Sequence, residues 1–250
     1  MSPQNSPGVT LSWTGLLAGF RMMAPLSLFV GAFSLAFGVA AVQRGLDATE
    51  IMAITTLVFA GASQFAALEM WQEPLPVLPL LLSTLAINAR FLLMSASLYP
   101  WLRDLRPAAR YGCAVLLTDS NWAMSMTAYY RGENNAGILL GSGLALWVAW
   151  VIGGWIGVCF SSGITAPERF GLDVIMGCFL LTMLLSGRRD FPVLLPWSVA
   201  GLAALAAVWW LPPHTHVVVG GLAGGCASLL LPFRSDTQSA AEPAAEERRS

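Results

Sequence analysis

The sequence predicts an all-α integral membrane protein that crosses the bilayer several times. Hydrophobic residues make up 56% of its 250 residues and charged residues 11%, whereas soluble domains hold about 45–50% apolar and about 25% charged residues. The apolar residues are grouped into long runs, and a membrane-spanning helix needs about 20 of them in succession. Because lipid offers no partner for backbone polar groups, such runs are expected to form helices.

Eight apolar segments occupy most of the chain. In order they are residues 23–42, 51–68, 75–98, 111–130, 137–160, 171–186, 192–211 and 217–233. We predict a single transmembrane domain over residues 23–233. Residues 1–22 form a short cytoplasmic segment, and the polar, Ala/Glu-rich residues 234–250 form a disordered cytoplasmic tail.

The arginine distribution favours six full crossings rather than eight. If all eight segments crossed from a cytoplasmic N-terminus, the arginines in residues 103–110 would lie outside, although cytoplasmic loops are the ones that collect arginine. The opposite orientation moves the arginines at 188–189 outside. If the second and fourth segments instead enter the membrane and return to the side they came from, only Arg44 and Arg169 lie outside and Arg90 lies within the membrane. This arrangement has six full spans and two broken or re-entrant segments, with both termini cytoplasmic.

The second segment carries the motif FAGASQF, residues 59–65, in its middle. Gly61 and Ser63, with the alanine between them, permit close backbone approach and a break in the helix. Gln64 adds a polar side chain at a depth where unpaired polar groups are costly. Such groups usually mark a binding site or a transport path.

The third segment carries INARF, residues 87–91, with Asn88 and Arg90 on different faces of the predicted helix. An arginine at this depth costs about 2.5–3.5 kcal/mol on insertion scales, so it is expected to point inward and to pair with an acid. Asp119 is the expected partner. Two interpretations stay open: the two charges hold a substrate, or they form a structural ion pair without contact to it.

The fourth segment carries LTDSN, residues 117–121. Thr118 and the three residues after it have side chains that cap helix N-termini. A second broken helix is therefore predicted, which enters from the opposite side and meets the first near the midplane. Helix N-termini at such a place suit a carboxylate, and freed backbone carbonyls suit an ammonium group.

The later segments carry glycine pairs with helical spacing. Gly153 and Gly157, like Gly220 and Gly224, lie four residues apart and permit close helix contact, which we expect chiefly within the chain. The four cysteines are scattered through separate segments without metal-ligand spacing. No metal and no cofactor is predicted.

Taken in order, these motifs resemble those of the AzlC family, the large subunit of bacterial branched-chain amino acid exporters of the LIV-E class. The likeness extends over residues 15–233 and comprises the run at 25–38, FAGASQF, the Asn-x-Arg helix with its Ser-Leu-Tyr-Pro end, and Leu-Thr-Asp. It implies proton-driven export of branched-chain or similar apolar amino acids across the bacterial inner membrane, together with a small AzlD-like membrane subunit. The sequence has no GxxxxGK[ST] phosphate loop, so nothing in it implies an ATPase.

Two departures from the family's pattern bear on proton coupling. Phe91 stands where the family often has histidine, and Ser120 where it often has glutamate, so two titratable groups are missing here. Asp119 is the one acidic residue well inside an apolar segment, and burial favours the neutral form of a carboxyl group. We therefore expect Asp119 to carry the coupling proton.

The residues and the resemblance together predict a binding site for an amino acid zwitterion. Its carboxylate is expected near Arg90 and a helix N-terminus, and its ammonium group near Asp119 and Gln64. The expected polar contacts are Gly61, Ser63, Gln64, Asn88, Arg90, Thr118 and Asp119, and the expected side-chain pocket is Phe59, Phe65 and Phe91.

Other classes of function fit the residues less well. A channel-like facilitator for a small neutral solute would also use re-entrant segments, but a buried charge pair in the path fits coupled transport better. An intramembrane enzyme would need a nucleophile and base or paired aspartates, and the apolar segments hold no histidine. A net charge of −1 without a basic, aromatic tract gives no basis for nucleic-acid binding.

Overall fold

A computed structural model describes residues 9–161, 191–210 and 216–230, and these residues are almost entirely helical. The chain divides into two compact units, Met1–Ser186 and Gly187–Ser250. The helices of the first unit are α1 (Trp13–Gln43), α2 (Ala48–Leu57), α3 (Gly61–Glu69), α4 (Val77–Asn88), α5 (Arg90–Leu102), α6 (Pro107–Val115), α7 (Asp119–Tyr130) and α8 (Gly137–Phe160). The second unit holds α9 (Phe191–Trp210) and α10 (His216–Leu229).

Helices α1 and α8 form the centre of the first unit and run parallel in direct backbone contact. A Cβ atom added at Gly141 would lie 1.9 Å from the Leu16 carbonyl oxygen, and one added at Gly153 would lie 2.1 Å from that of Gly31. The start of α1 therefore lies beside the start of α8, and their later turns also lie together. Gly157 makes the same close approach farther along, so the predicted packing of this glycine pair within the chain is confirmed. We call the two ends of this helix pair the amino end and the carboxyl end.

Helices α2 and α3 form a hairpin that enters from the carboxyl end and returns to it. Ile51 near the start of α2 and Leu68 near the end of α3 lie in one apolar cluster with Leu46. At the same end, Arg44 Nη1 donates a hydrogen bond to the Glu69 carbonyl oxygen at 3.5 Å. The arms hold 10 and 9 residues. At 1.5 Å per residue each reaches about 15 Å, roughly half the hydrocarbon core of a bilayer.

Helices α4 and α5 follow each other almost without a gap and run back from the carboxyl end to the amino end. The sequence predicts one continuous helix here, but the structure interrupts it at Ala89, which keeps helical dihedral angles. Asn88 at the end of α4 donates a hydrogen bond to Ser63 near the start of α3. At the other extremity, Trp101 Nε1 donates to the Glu133 carbonyl oxygen at 2.9 Å, just before α8 begins.

Helices α6 and α7 form a second hairpin, which enters from the amino end and returns to it. Cys113 of α6 lies in one apolar cluster with Trp101 and with Ala136, which precedes α8. Tyr129, near the end of α7, has its ring centroid 6.1 Å from that of Trp101. The arms hold 9 and 12 residues, so neither is long enough to cross a bilayer alone.

The two helix breaks thus occur in the segments where the sequence predicts them, and the two hairpins enter from opposite ends. Among the described residues, three helices are long and apolar enough to cross a membrane, namely Trp13–Gln43, Val77–Leu102 and Gly137–Phe160. The first begins ten residues before the predicted apolar segment, because Ser12 caps it and its early glycines pack on α8. The cytoplasmic side of each end stays a prediction, and residues 171–186 and 234–250 lie outside the described residues.

In the second unit, α9 and α10 pack through the predicted glycine pair. A Cβ atom added at Gly224 would lie 2.8 Å from the Ala200 Cβ, and one at Gly220 would lie 3.0 Å from the Ala200 carbonyl oxygen. These glycines therefore also serve packing within the chain.

Candidate functional site

A cavity of about 80 Å³ lies where the tips of the two hairpins meet. Its walls come from the α2–α3 break, the start of α5, the α6–α7 break and the middle turns of α1 and α8. The lining residues are Val30, Phe33, Phe59, Ala60, Gly61, Ala62, Arg90, Phe91, Thr118, Asp119, Ser120, Leu146 and Trp150. The motifs FAGASQF, INARF and LTDSN therefore converge on one place, as the sequence predicts.

The tip of the α2–α3 hairpin is shaped by close contact with aromatic rings. A Cβ atom on Gly61 would lie 2.7 Å from Trp150 Cη2 and 3.2 Å from Phe33 Cε1, so only glycine permits this approach. Behind the tip, Gln64 Nε2 donates hydrogen bonds to the carbonyl oxygens of Ile54 and Val58. Both carbonyls also accept backbone N–H groups, from Val58 and Ala60 respectively, so the side chain of Gln64 adds a second donor to each and links α3 to the end of α2.

The tip of the α6–α7 hairpin is held by a reciprocal cap. Thr118 precedes α7, and its backbone N–H donates to Asn121 Oδ1 at 2.7 Å while its hydroxyl accepts from the Asn121 N–H. Asn121 Nδ2 donates to the Leu116 carbonyl oxygen at 2.7 Å. Asn121 is fully buried and satisfies the backbone on both sides of the break. Asp119 therefore does not have to cap the helix and can face the cavity.

Arg90 and Asp119 form the predicted ion pair across the cavity. Arg90 Nη1 lies 3.1 Å from Asp119 Oδ2, and the two side chains are 36% and 21% exposed. The guanidinium carbon of Arg90 also lies 5.2 Å from the centroid of the Phe91 ring. Arg90 Nε is buried without a hydrogen-bond partner. The pair is thus only partly enclosed, and one buried donor of Arg90 has no hydrogen-bond partner.

Two helices begin after a break in the backbone beside this cavity, at Gly61 and Asp119, whereas α5 continues α4 through the helical residue Ala89. Each helix N-terminus carries unpaired N–H groups and a partial positive charge. Together with the Arg90 guanidinium they favour an anionic group, while the Asp119 carboxylate favours a cationic one. The site therefore presents the two charges that an amino acid zwitterion requires, in a setting of apolar and aromatic side chains.

Six of the predicted site residues line the cavity, and four lie behind its wall. Those that line it are Phe59, Gly61, Arg90, Phe91, Thr118 and Asp119. Ser63 donates to the Ala60 carbonyl oxygen and accepts from Asn88, and Gln64 links α3 to the end of α2. Phe65 stacks on Phe33 with ring centroids 4.8 Å apart. From these positions the four residues support α3 and do not line the cavity.

The sequence prediction missed the cavity walls contributed by α1 and α8. Val30, Phe33, Leu146 and Trp150 lie in the middle turns of these helices. Each is one apolar residue within a long apolar run, so neither composition nor spacing distinguishes it from a lipid-facing residue. The run at residues 25–38, one of the motifs that carry the family resemblance, includes Val30 and Phe33 and could have drawn attention to this turn of α1.

Comparison with known proteins identifies a family and several membrane proteins among the relatives of this chain. The family model described as AzlC protein matches residues 25–164, a stretch that includes every residue lining the cavity. The chain is 23% identical over 240 residues to the inner membrane protein YgaZ of Escherichia coli, covering 92% of this chain and 94% of that one. It is 32% identical over 126 residues to an uncharacterized membrane protein of Archaeoglobus fulgidus, covering 50% and 53% of the two chains.

A third relative is an uncharacterized membrane protein of Helicobacter pylori, 22% identical over 161 residues, which are 63% of this chain and 70% of that one. No solved structure matches the chain. Because the family model covers more than half of the sequence and the relatives are membrane proteins, the chain belongs to the AzlC family and is a multi-pass membrane protein.

Proposed function

We propose that this protein is the large subunit of a secondary transporter that exports branched-chain or similar apolar amino acids across the bacterial inner membrane. The observation that carries the proposal is the Arg90–Asp119 pair at the meeting point of two broken hairpins. Membership of the AzlC family supports a transport role. Export, proton coupling and a small AzlD-like partner subunit are expectations from the family resemblance.

The substrate binds in place of the contact between the two charges. Its carboxylate pairs with Arg90, whose Nε has no other partner, and also faces the helix N-termini at Gly61 and Asp119. Its ammonium group pairs with Asp119. An apolar side chain then lies against Phe33 and Trp150, which form an edge-to-face pair with centroids 5.6 Å apart.

Proton coupling is proposed to use the same change at the ion pair, in which Arg90 and Asp119 exchange their contact with each other for contacts with the substrate. In the empty site Arg90 neutralises Asp119. Binding of the substrate separates Asp119 from Arg90, and Asp119, the one acidic residue among the described residues that line the cavity, is the residue we propose to exchange a proton during the transport cycle.

The opposite entry of the two hairpins supplies a route for alternating access. Helices α2 and α3 close the cavity from the carboxyl end, and α6 and α7 close it from the amino end. Displacement of one tip opens the cavity toward one end while the other tip keeps it closed. This is the behaviour expected of transporters built from discontinuous helices in opposite orientations.

Counterflow in proteoliposomes tests the proposed function. We expect vesicles that contain the protein and its co-expressed small subunit to accumulate labelled leucine when preloaded with unlabelled leucine, with saturation at rising concentration. Vesicles preloaded with glycine serve as the control for an apolar side-chain requirement. Linear flux without exchange would instead support a channel-like facilitator.

A further inference from the structure

A second cavity in the first unit lies between α5 and α6 at the amino end, away from the charge pair. It has a volume of about 190 Å³ and is apolar along most of its lining. Leu98, Leu102 and Leu117 form its floor and are at most 5% exposed. For comparison, an apolar cavity of about 150 Å³ binds benzene, so this one accommodates a stretch of hydrocarbon.

The rim of the cavity carries a fixed positive charge. The guanidinium carbon of Arg110 lies 5.5 Å from the Tyr99 ring centroid and 5.6 Å from that of Tyr111. Both tyrosines are more than half exposed. The two rings hold the guanidinium group at the mouth of the cavity, where aromatic and cationic side chains are typical of the boundary between lipid and water.

Arg110 has no acidic partner within the part of the chain that the structure describes. Arg103, at the same end, lies 3.7 Å from Asp104, and Arg90 lies 3.1 Å from Asp119. The side chain of Arg110 forms neither an ion pair nor a hydrogen bond with the described residues. Its N–H groups are therefore free to donate to an anion from outside the chain.

A floor of leucines below an unpaired arginine fits a ligand with one apolar and one anionic part. We propose that this cavity binds an anionic phospholipid, with part of one acyl chain between α5 and α6 and the phosphate accepting hydrogen bonds from Arg110. A bilayer presents such molecules at this depth, and arginines near the membrane surface attract them. The neighbouring Arg106, exposed on the same side, adds to the attraction.

The proposal is independent of the proposed transport function. A bound lipid here would hold α6 against α5, and α6 is the outer arm of the hairpin that carries Asp119. A soluble anion has no group for the leucine floor, and a neutral lipid has no net charge to complement Arg110. The leucine floor therefore requires an apolar group and Arg110 requires an anionic group, and only an anionic lipid supplies both.

Native mass spectrometry of the purified full-length protein tests the proposal. Delipidated protein is titrated with phosphatidylglycerol or with phosphatidylcholine of the same acyl chains. We expect phosphatidylglycerol to bind at least about fivefold more tightly than phosphatidylcholine. Arg110→Gln should remove this preference, Arg110→Lys should keep most of it, and Arg106→Gln should change it by less than about twofold.

Two further arms examine the apolar half of the site. Ala114→Trp fills the cavity while leaving Arg110 in place, and we expect it to lower phosphatidylglycerol binding as strongly as Arg110→Gln. Glycerol phosphate, which lacks acyl chains, should fail to compete. Unchanged lipid binding in either variant, with each eluting as a single species on gel filtration, would overturn the proposal, as would full competition by glycerol phosphate.

Discussion

The two hairpins share an architecture but differ in how their tips are built. The α2–α3 tip carries no charge and lies against the aromatic rings of Phe33 and Trp150, which Gly61 approaches closely. The α6–α7 tip is held by a hydrogen-bonded cap around Asn121 and presents Asp119 to the cavity. The comparison indicates a division of labour in which the first hairpin sets the shape of the site and the second sets its charge.

The two hairpins also differ in how closely they pack against their neighbours. The α2–α3 hairpin packs into a continuous aromatic cluster in which Phe65 contacts Phe33 and Phe37. The arms of the α6–α7 hairpin bury four residues, Cys113, Asn121, Ser125 and Ala128, whereas the arms of α2–α3 bury six. Low packing of this kind is typical of elements that move, so we expect α6–α7 to be the more mobile hairpin.

Removal of the Arg90 charge, which faces Asp119 at the α6–α7 tip, has the largest expected effect on transport. Arg90→Gln should reduce leucine counterflow about 100-fold, because it removes a charged hydrogen-bond donor and leaves Asp119 unpaired in the cavity. Arg103→Gln, outside the cavity but also paired with an aspartate, is the matched control and should transport normally. Equal transport by both variants would show that the charge at Arg90 does not serve the substrate.

Removal of the second tip's cap should mainly affect stability. Asn121→Ala leaves the Leu116 carbonyl and the Thr118 N–H without partners, and we expect it to lower the free energy of unfolding by about 3 kcal/mol. Asn134→Ala, an exposed asparagine at the amino end, should change it by less than about 0.5 kcal/mol. Denaturant unfolding in detergent, followed by tryptophan fluorescence, measures the difference.

A larger residue at position 61 tests whether the α2–α3 tip sets the shape of the cavity. Gly61→Ala forces a methyl group against the Trp150 ring, and we expect a loss of about 1–3 kcal/mol in stability with weaker transport. In the double variant with Trp150→Phe, the added loss caused by Gly61→Ala should be smaller than in the wild type. Gly112→Ala is the control, since an added Cβ meets nothing within 4 Å there. Additive losses in the double variant would place the strain elsewhere.

The smallest expected effect concerns side-chain selection. Phe91 lines the cavity and is half-buried, and Phe91→Leu removes part of this wall. We expect the ratio of phenylalanine to leucine transport to rise about threefold, as a modest change in an apolar pocket allows. Competition of unlabelled amino acids with labelled leucine measures the ratio, and an unchanged ratio would exclude Phe91 from the side-chain pocket.

The sequence contained enough information to predict both helix breaks and the ion pair. Gly61 and Thr118 interrupt apolar runs with residues that have a specific backbone consequence, and Arg90 is too costly in lipid to remain unpaired. The re-entrant interpretation came from arginine asymmetry alone. The structure supports it, since both arms of each hairpin pack at the same end of the α1–α8 pair.

The remaining part of the site depends on tertiary contacts that no local pattern encodes. Phe33 and Trp150 are 117 positions apart in the sequence and become neighbours only because glycines let α1 and α8 run in contact. Conversely, Gln64 and Phe65 belong to the most distinctive motif, yet helical rotation turns them away from the cavity toward α2 and α1. A motif located the site but did not say which of its side chains line it.

The central claim is that the charge carried by the second hairpin couples transport to protons. Leucine efflux driven by an acid-outside pH gradient, in proteoliposomes that contain the protein and its small subunit, tests it most directly. Asp119→Asn should abolish the pH-driven component, whereas Asp104→Asn, which removes an exposed carboxylate at the amino end, should leave it intact. Full pH-driven leucine efflux by Asp119→Asn would contradict the account.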